Sequence, residues 1–275
     1  MLRPGNAAPN DTDDHLELLE RIVMALPSEY RLGHEEDDDP ALVTHPLLVR
    51  ADSAGATHRF VDALSRANIE YSIGFPISGA VRDALLMAQE EDWVRATEHG
   101  GAIRDGAEVI ELTDLVEFRD WPDEQRLMCR RERPHPGAQL SLFDIHAGWR
   151  HTCFITSSTD SDIAALELRH RGHARVEDRV RCWKDCGLSN LPFDGFCRNE
   201  AWVTVSLIAG VLLAWSQWLC FDGQLAKAEP KTMRQHVLHI AAVLVRRGRR
   251  LVLRLDESWP WVSELSTAFT RLAFP

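Results

Sequence analysis

Residues 167–187 read ELRHRGHARVEDRVRCWKDCG, an amphipathic helix with one central glutamate in a basic field. His170, His173, Glu177, Arg181 and Lys184 recur at spacings of three, four, four and three, which places them on one helical face. Val176, Val180 and Trp183 form an apolar stripe that would dock the helix. Gly187 is the expected C-cap, and Pro192 follows the exit. Two readings are open at this point. The helix is a solvated one with ordinary i,i+4 pairs, or its carboxylate is a metal ligand set beside cations that meet phosphate.

Working outward, the segment before this helix alternates between two textures. Leu16, Leu19, Ile22, Val23 and Leu26 recur at helical spacing in HLELLERIVMAL, with Asp13 or Asp14 as the cap. HEEDDD (34–39) reads as a solvated acidic loop. PLLVRA (46–51) suits a buried strand, HRFVDALSRAN a helix, and IEYSIGF (69–75) a second strand. Strand–helix–strand at this spacing is an α/β unit with parallel strands. Asp52 then falls at the C-terminal end of its strand, where open α/β sheets put their ligands. A turn or cap role is the alternative for that residue. Residues 76–157 read as an inserted, mostly β subdomain: one helix, GAVRDALLMAQEEDW, then AEVIELTDLV, RLMCRRERP and RHTCFITSS between Gly, Pro and Asp turns.

After the Glu177 helix come an uncharged stretch, AWVTVSLIAGVLLAWSQWLCF (201–221), a basic helix expected over about 231–245, and a turn or hairpin at RRGRRLVLRL (246–255). The uncharged stretch is long enough to span a bilayer. Its serines, glutamine and tryptophans, and its place late in an acidic chain, favour a buried core helix instead.

The chain of 275 residues carries a net charge of −11, but the charge is segregated. Residues 165–275 hold 16 Lys/Arg against 11 Asp/Glu, a balance of +5, so a basic surface is compatible with an acidic whole. Arg130, Arg131 and Arg133, expected on a β-turn, and Arg246, Arg247, Arg249 and Arg250 are candidate phosphate contacts or plain solubilising charge. The six cysteines are scattered, which fits free thiols in a reducing cytosol. Cys182, Cys186 and Cys197 lack the spacing of a standard zinc finger. No phosphate-loop or dinucleotide glycine motif is present, and DSAG around Ser53 is not a G-x-S-x-G elbow.

Asp52 and Glu177 are the best acidic pair for metal-assisted chemistry at a phosphodiester. Three blocks, LVRADSAGATHRFVDAL, RRERPHPGAQLSLFD and ELRHRGHARVEDRVRCWKDCGLSNLPF, resemble the DDE transposases of bacterial insertion sequences. The nearest branch is the insertion-sequence family numbered thirteen-eighty. NEAWVTVSLIAGVLLAW and the RRGRR tail extend the resemblance over most of the chain.

The resemblance implies an α/β fold with an RNase H-like core and a β-rich insertion before the last catalytic helix. The implied division is core over 1–75, insertion over 76–157, and catalytic and C-terminal helices over 158–275. It further implies that Asp52 and Glu177 are catalytic metal ligands for Mg²⁺ or Mn²⁺. Lys184, with Arg175 and Arg181 nearby, would face DNA phosphate, and a homodimer would work on DNA with no membrane involved. The family signature Tyr-x2-Arg-x3-Glu-x6-Lys fits Glu177 and Lys184, while His170 and His173 stand at its Tyr and Arg positions. MLRPGNAAPNDTDDH resembles an internal segment of the family, so the first core strands and the first catalytic aspartate are expected to be missing. The expected function is that of a C-terminal portion, inactive alone, of an enzyme that cleaves and joins DNA. The alternative is a non-catalytic DNA-binding or dimerising remnant.

Overall fold

The computed structural model describes residues 2–3, 11–134, 145–146, 148–172 and 174–272. They form two compact units, Arg3–Ala174 and Arg175–Pro275.

The first unit opens with α1 (Thr12–Ala25). Its cap is Asp11, whose carboxylate accepts from the Asp13 N–H at 3.1 Å. Asp13 and Asp14, the caps expected from sequence, sit instead in the first turn, where the helix dipole favours acids. A short α2 (Ser28–Arg31) follows. In the acidic stretch 34–39 most carboxylates are exposed, but His34 is buried, its ring bridging the Ala67 and His45 carbonyls at 3.0 Å each. Strand β1 (Leu48–Ala51), helix α3 (His58–Arg66) and strand β2 (Glu70–Phe75) make the parallel α/β unit, in register from Leu48 opposite Glu70 to Ala51 opposite Ile73.

Residues 76–157 contribute α4 (Gly79–Met87) and strands β3 (Val94–Thr97), β4 (Ile103–Glu111), β5 (Arg126–Glu132), β6 (Ile145–His146) and β7 (Trp149–Thr156). These strands continue the sheet begun by β1 and β2, in the order β1-β2-β7-β5-β4-β3 with β6 beside β7. All the added pairings are antiparallel. Period-two alternation gives the sheet two apolar faces. Tyr71, Ile73, Leu127, Cys129, Cys153 and Ile155 pack with α3 and with Leu16, Leu19 and Val23 of α1. Met128 and Phe154 face the other way, onto Leu166 of α5 (Ile163–Arg171). The result is a helix–sheet–helix sandwich.

The second unit contains α6 (Ala174–Trp183), a π-helical turn over Lys184–Leu188, α7 (Phe196–Cys220) and α8 (Pro230–Met233). A hairpin of β8 (Ala242–Arg247) and β9 (Arg250–Leu255) and a last helix α9 (Val262–Leu272) complete it. Its small core joins Cys220, Phe221, Leu225, Met233 and Ala268.

Four further expectations differ from the structure. First, 167–187 is not one helix. Arg50 of β1 donates to the Arg169 carbonyl at 2.8 Å, at the C-terminus of α5, and a Cβ on Gly172 would lie 2.6 Å from that guanidinium. The helix therefore ends at Arg171, which leaves His170 on α5 and Glu177 on α6. Second, Val176 and Val180 are exposed, so Trp183 alone of the expected stripe is docked. Third, the basic helix expected to 245 stops early, because Ala242–Arg247 finds a strand partner in Arg250–Leu255. Gly248 (φ 59°) in the two-residue turn permits that pairing. Fourth, 201–221 is helical but not buried. Its inward side is Ser206, Gly210, Gln217 and Cys220, and its apolar side faces out.

The docking of Trp183 depends on Gly210, where a Cβ would overlap the indole. Gly210→Ala is therefore expected to destabilise the second unit by about 1–3 kcal/mol through overpacking, despite the better helix propensity of alanine. Chemical denaturation followed by tryptophan fluorescence measures it.

Candidate functional site

Strand β1 delivers Asp52 to the C-terminal end of a rigid parallel pair. The carboxylate is exposed, and its Oδ1 accepts from the Ala54 N–H at 3.0 Å, capping the short turn Ser53–Gly55. That bond fixes the rotation of the carboxylate. The turn rests on β2 at Gly74, where a Cβ would lie 2.9 Å from the Ser53 nitrogen and 3.2 Å from the Asp52 carbonyl carbon. Only glycine admits so close a backbone approach.

Beside Asp52 is an open cavity of about 330 Å³, lined among others by Ser53, Gly74, Arg150, His151 and His170. His170 reaches it from α5. Its ring is stacked on Phe154 at 4.3 Å, and Nδ1 lies 2.9 Å from the hydroxyl of the buried Ser72. Gly74 and Arg150 were missed in the sequence. A lone glycine in a strand was the one available sign of close backbone approach. Arg150 carried no sign at all, since its place depends on the pairing of β7 with β2.

Glu177 is exposed in the first turn of α6, in the other unit. Arg181 is largely exposed and pairs with Asp178 at 2.7 Å and Glu229 at 3.2 Å. Surface pairs of this kind are worth about 0–1 kcal/mol, so phosphate can displace them. Lys184 is exposed at the start of the π-helical turn. The side chain of Arg175 and all of His173 lie outside the described residues.

The arginine clusters behave differently from one another. Arg130 and Arg131 are not on a turn but inside β5. Arg130 donates to Glu167 at 2.8 Å, and that glutamate is only 2% exposed. Arg131 pairs with Glu108 at 2.7 Å and Glu90 at 2.5 Å, and stacks over Trp93 and Trp149. The Arg131 hydrogen bond holds Glu90 below the usual carboxylate range, and Glu90 in return pushes Arg131 up. Both guanidiniums are engaged by carboxylates of the chain itself, Arg130 by the buried Glu167 and Arg131 by the partly exposed Glu108 and the exposed Glu90. Arg133 is exposed and lies over Trp149 at 3.8 Å. Residues 135–137 of the same stretch lie outside the described residues.

Arg246, Arg247, Arg249 and Arg250 gather at the tip of the β8–β9 hairpin, all exposed. Arg247 stands directly opposite Arg250. Like charges facing across a ladder are unfavourable unless an anion sits between them.

A divalent metal needs hard oxygen donors, and the Asp52 and Glu177 carboxylates fit in kind. They do not fit in number: among the described residues no group of three or more His, Cys, Asp or Glu side chains is gathered for a metal.

A mixed α/β sheet with a strand-end aspartate beside an open cavity is compatible with the nuclease fold of a DDE transposase. The family model for the transposase DDE domain, group 1, matches residues 1–274. The chain belongs to that family. No curated protein matches it significantly.

Proposed function

We propose that the chain is the C-terminal portion of an insertion-sequence transposase, of the branch numbered thirteen-eighty, that cleaves and joins DNA by metal-assisted phosphoryl transfer. The observation that carries this reading is Asp52, held at a strand end by the Ala54 N–H beside an open cavity, in a chain of the DDE family. The core is RNase H-like and incomplete, over 1–75 and 158–275, with 76–157 as its insertion. Asp52 and Glu177 are the catalytic ligands for Mg²⁺ or Mn²⁺. When bound, a divalent pair supplies activation of the attacking hydroxyl and charge stabilisation at the leaving oxygen. Two carboxylates under-coordinate such a pair, so the chain by itself is inactive and the third acid lies outside these residues. Strand β1, at the edge of the sheet, is where a further strand would add.

The protein's own cations orient the DNA. Lys184, Arg175 and Arg181 serve the phosphates near Glu177. Arg133 and the hairpin arginines extend the path, and a homodimer engages the element's ends. The second reading is a non-catalytic remnant that binds DNA or dimerises with intact enzyme, and the acid count favours it for this polypeptide. Translating the DNA upstream of Met1 separates the two. An in-frame strand ending in aspartate supports the enzyme, and a stop codon supports the remnant.

Binding through the hairpin has a direct measure. Log affinity for duplex DNA should fall linearly with log salt, and replacing Arg246, Arg247, Arg249 and Arg250 by alanine should flatten that slope by about 2–4. An unchanged slope would remove the hairpin from the interface.

A further inference from the structure

Helix α7 turns its small and polar residues inward and its apolar residues outward. Asn199, Ser206, Gly210 and Gln217 are buried. Val205, Ile208, Leu212, Trp215 and Leu219 follow one another at spacings of three and four, the spacing of a coiled-coil seam, and are 47–59% exposed. Val211 and Trp218 border the seam, the latter 81% exposed. No charged residue interrupts it between Ala201 and Phe221.

The inward side is tied down. The Gln217 amide donates to the Ala228 carbonyl at 2.6 Å, and Asn199 exchanges two hydrogen bonds with the Phe193 backbone. The Trp202 indole donates to the Gly187 carbonyl at 2.9 Å. Spanning a bilayer would strip these bonds, and an uncharged stripe offers nothing to DNA phosphate. The seven outward side chains together expose roughly 700–900 Å² of apolar surface. That exceeds the roughly 300–600 Å² patch of an ordinary monomer and matches the roughly 800 Å² that one partner gives a standard interface.

We propose that this stripe is a homodimer seam, covered by α7 of a second copy running antiparallel about a two-fold axis. The stripe is close to symmetric about Leu212, seven residues from Val205 on one side and from Leu219 on the other. Antiparallel pairing sets Val205 against Leu219, Ile208 against Trp215, and Leu212 against its own copy. An isologous contact of this kind brings no like charges together, and the seam runs for about 21 Å. The seam stands on the exposed surface alone and holds whether or not the chain acts on DNA.

Analytical ultracentrifugation of the full 275-residue chain without DNA tests this. A dimer is expected at micromolar concentration, and Leu212→Glu should weaken association at least about 100-fold while leaving the circular dichroism spectrum intact. Because Leu212 meets itself, Leu212→Glu and Leu212→Lys should each be monomeric alone and form a mixed dimer together. Four results would overturn the seam. The wild type could be monomeric at about 100 μM, or Leu212→Glu could stay dimeric. Leu212→Glu could lose its fold, placing the stripe inside the chain. The wild type could float with anionic phospholipid vesicles while Leu212→Glu does not, assigning the face to lipid.

Discussion

Terminal-repeat DNA incubated with the 275-residue chain and Mg²⁺ or Mn²⁺ is expected to stay un-nicked. The same chain extended through an upstream reading frame that supplies a third carboxylate is expected to cut it. A hard divalent ion is typically held by one or two carboxylates, with water and substrate oxygens completing its shell, so two acids would hold a pair of such ions only weakly. Asp52 has one oxygen engaged by the Ala54 N–H, and Glu177 adds a single further carboxylate. In the extended protein, Asp52→Asn or Glu177→Gln should reduce strand cleavage by about 10³-fold or more, equivalent to roughly 4 kcal/mol of transition-state stabilisation. Binding to the same DNA should change little. Robust nicking by the short chain, abolished by Glu177→Gln, would show that two acids suffice. Nicking untouched by both substitutions would place the chemistry elsewhere.

Replacing Arg130 by methionine is expected to cost about 3–5 kcal/mol of stability, the largest single effect in the first unit. Its guanidinium is the 2.8 Å partner of Glu167, which is 2% exposed, and it also reaches Glu132 at 3.3 Å. Arg171 also pairs with Glu167, at 3.4 Å, and keeps part of that charge compensated, which places the loss toward the lower end of the range. Methionine preserves the volume and removes the charge, so the glutamate is left ionised in the interior or forced to take up a proton. The double variant Arg130→Met, Glu167→Met should recover most of the loss, because removing both partners of a buried pair costs little. Urea denaturation of the four proteins closes the cycle. A loss in Arg130→Met well below 1 kcal/mol, accompanied by weaker DNA binding, would make Arg130 a phosphate contact instead.

Local pattern carried the sequence reading a long way. The apolar runs PLLVRA and IEYSIGF around a helical spacer were enough to predict β1–α3–β2, although β1 is a half-exposed edge strand and not the buried one expected, and the turn-rich texture of 76–157 was enough to predict a mostly β stretch. Gly248 in RRGRR marked a turn or hairpin leading into a strand, but the strand before it, Ala242–Arg247, was read as the end of a helix. The failures share one cause, dependence on partners distant in sequence. Nothing local shows that Gly172 lies against Arg50, so the helix seemed to run on to Gly187. Arg130 and Arg131 looked like turn cations because Glu167, Glu108 and Glu90 are far away along the chain. In α7 an almost wholly apolar run has no charged side to mark its outward face, and its serines and glutamine, read as signs of a core helix, turn out to be the inward side of an otherwise exposed one. His170 was grouped with Glu177 by spacing, whereas the fold hands it to the cavity of Asp52.

Gly74 brings neither charge nor hydrogen bond to the cavity, yet it is bound to Asp52 as tightly as any ligand could be. A methyl group there would press into the Asp52–Ser53 peptide and lift the turn that aims the carboxylate. In a selection for function the two positions would thus be inherited as one character. Substitutions at Gly74 would mimic the loss of Asp52, and compensation would have to arise in the backbone of residues 52–55 before any side chain could restore the site.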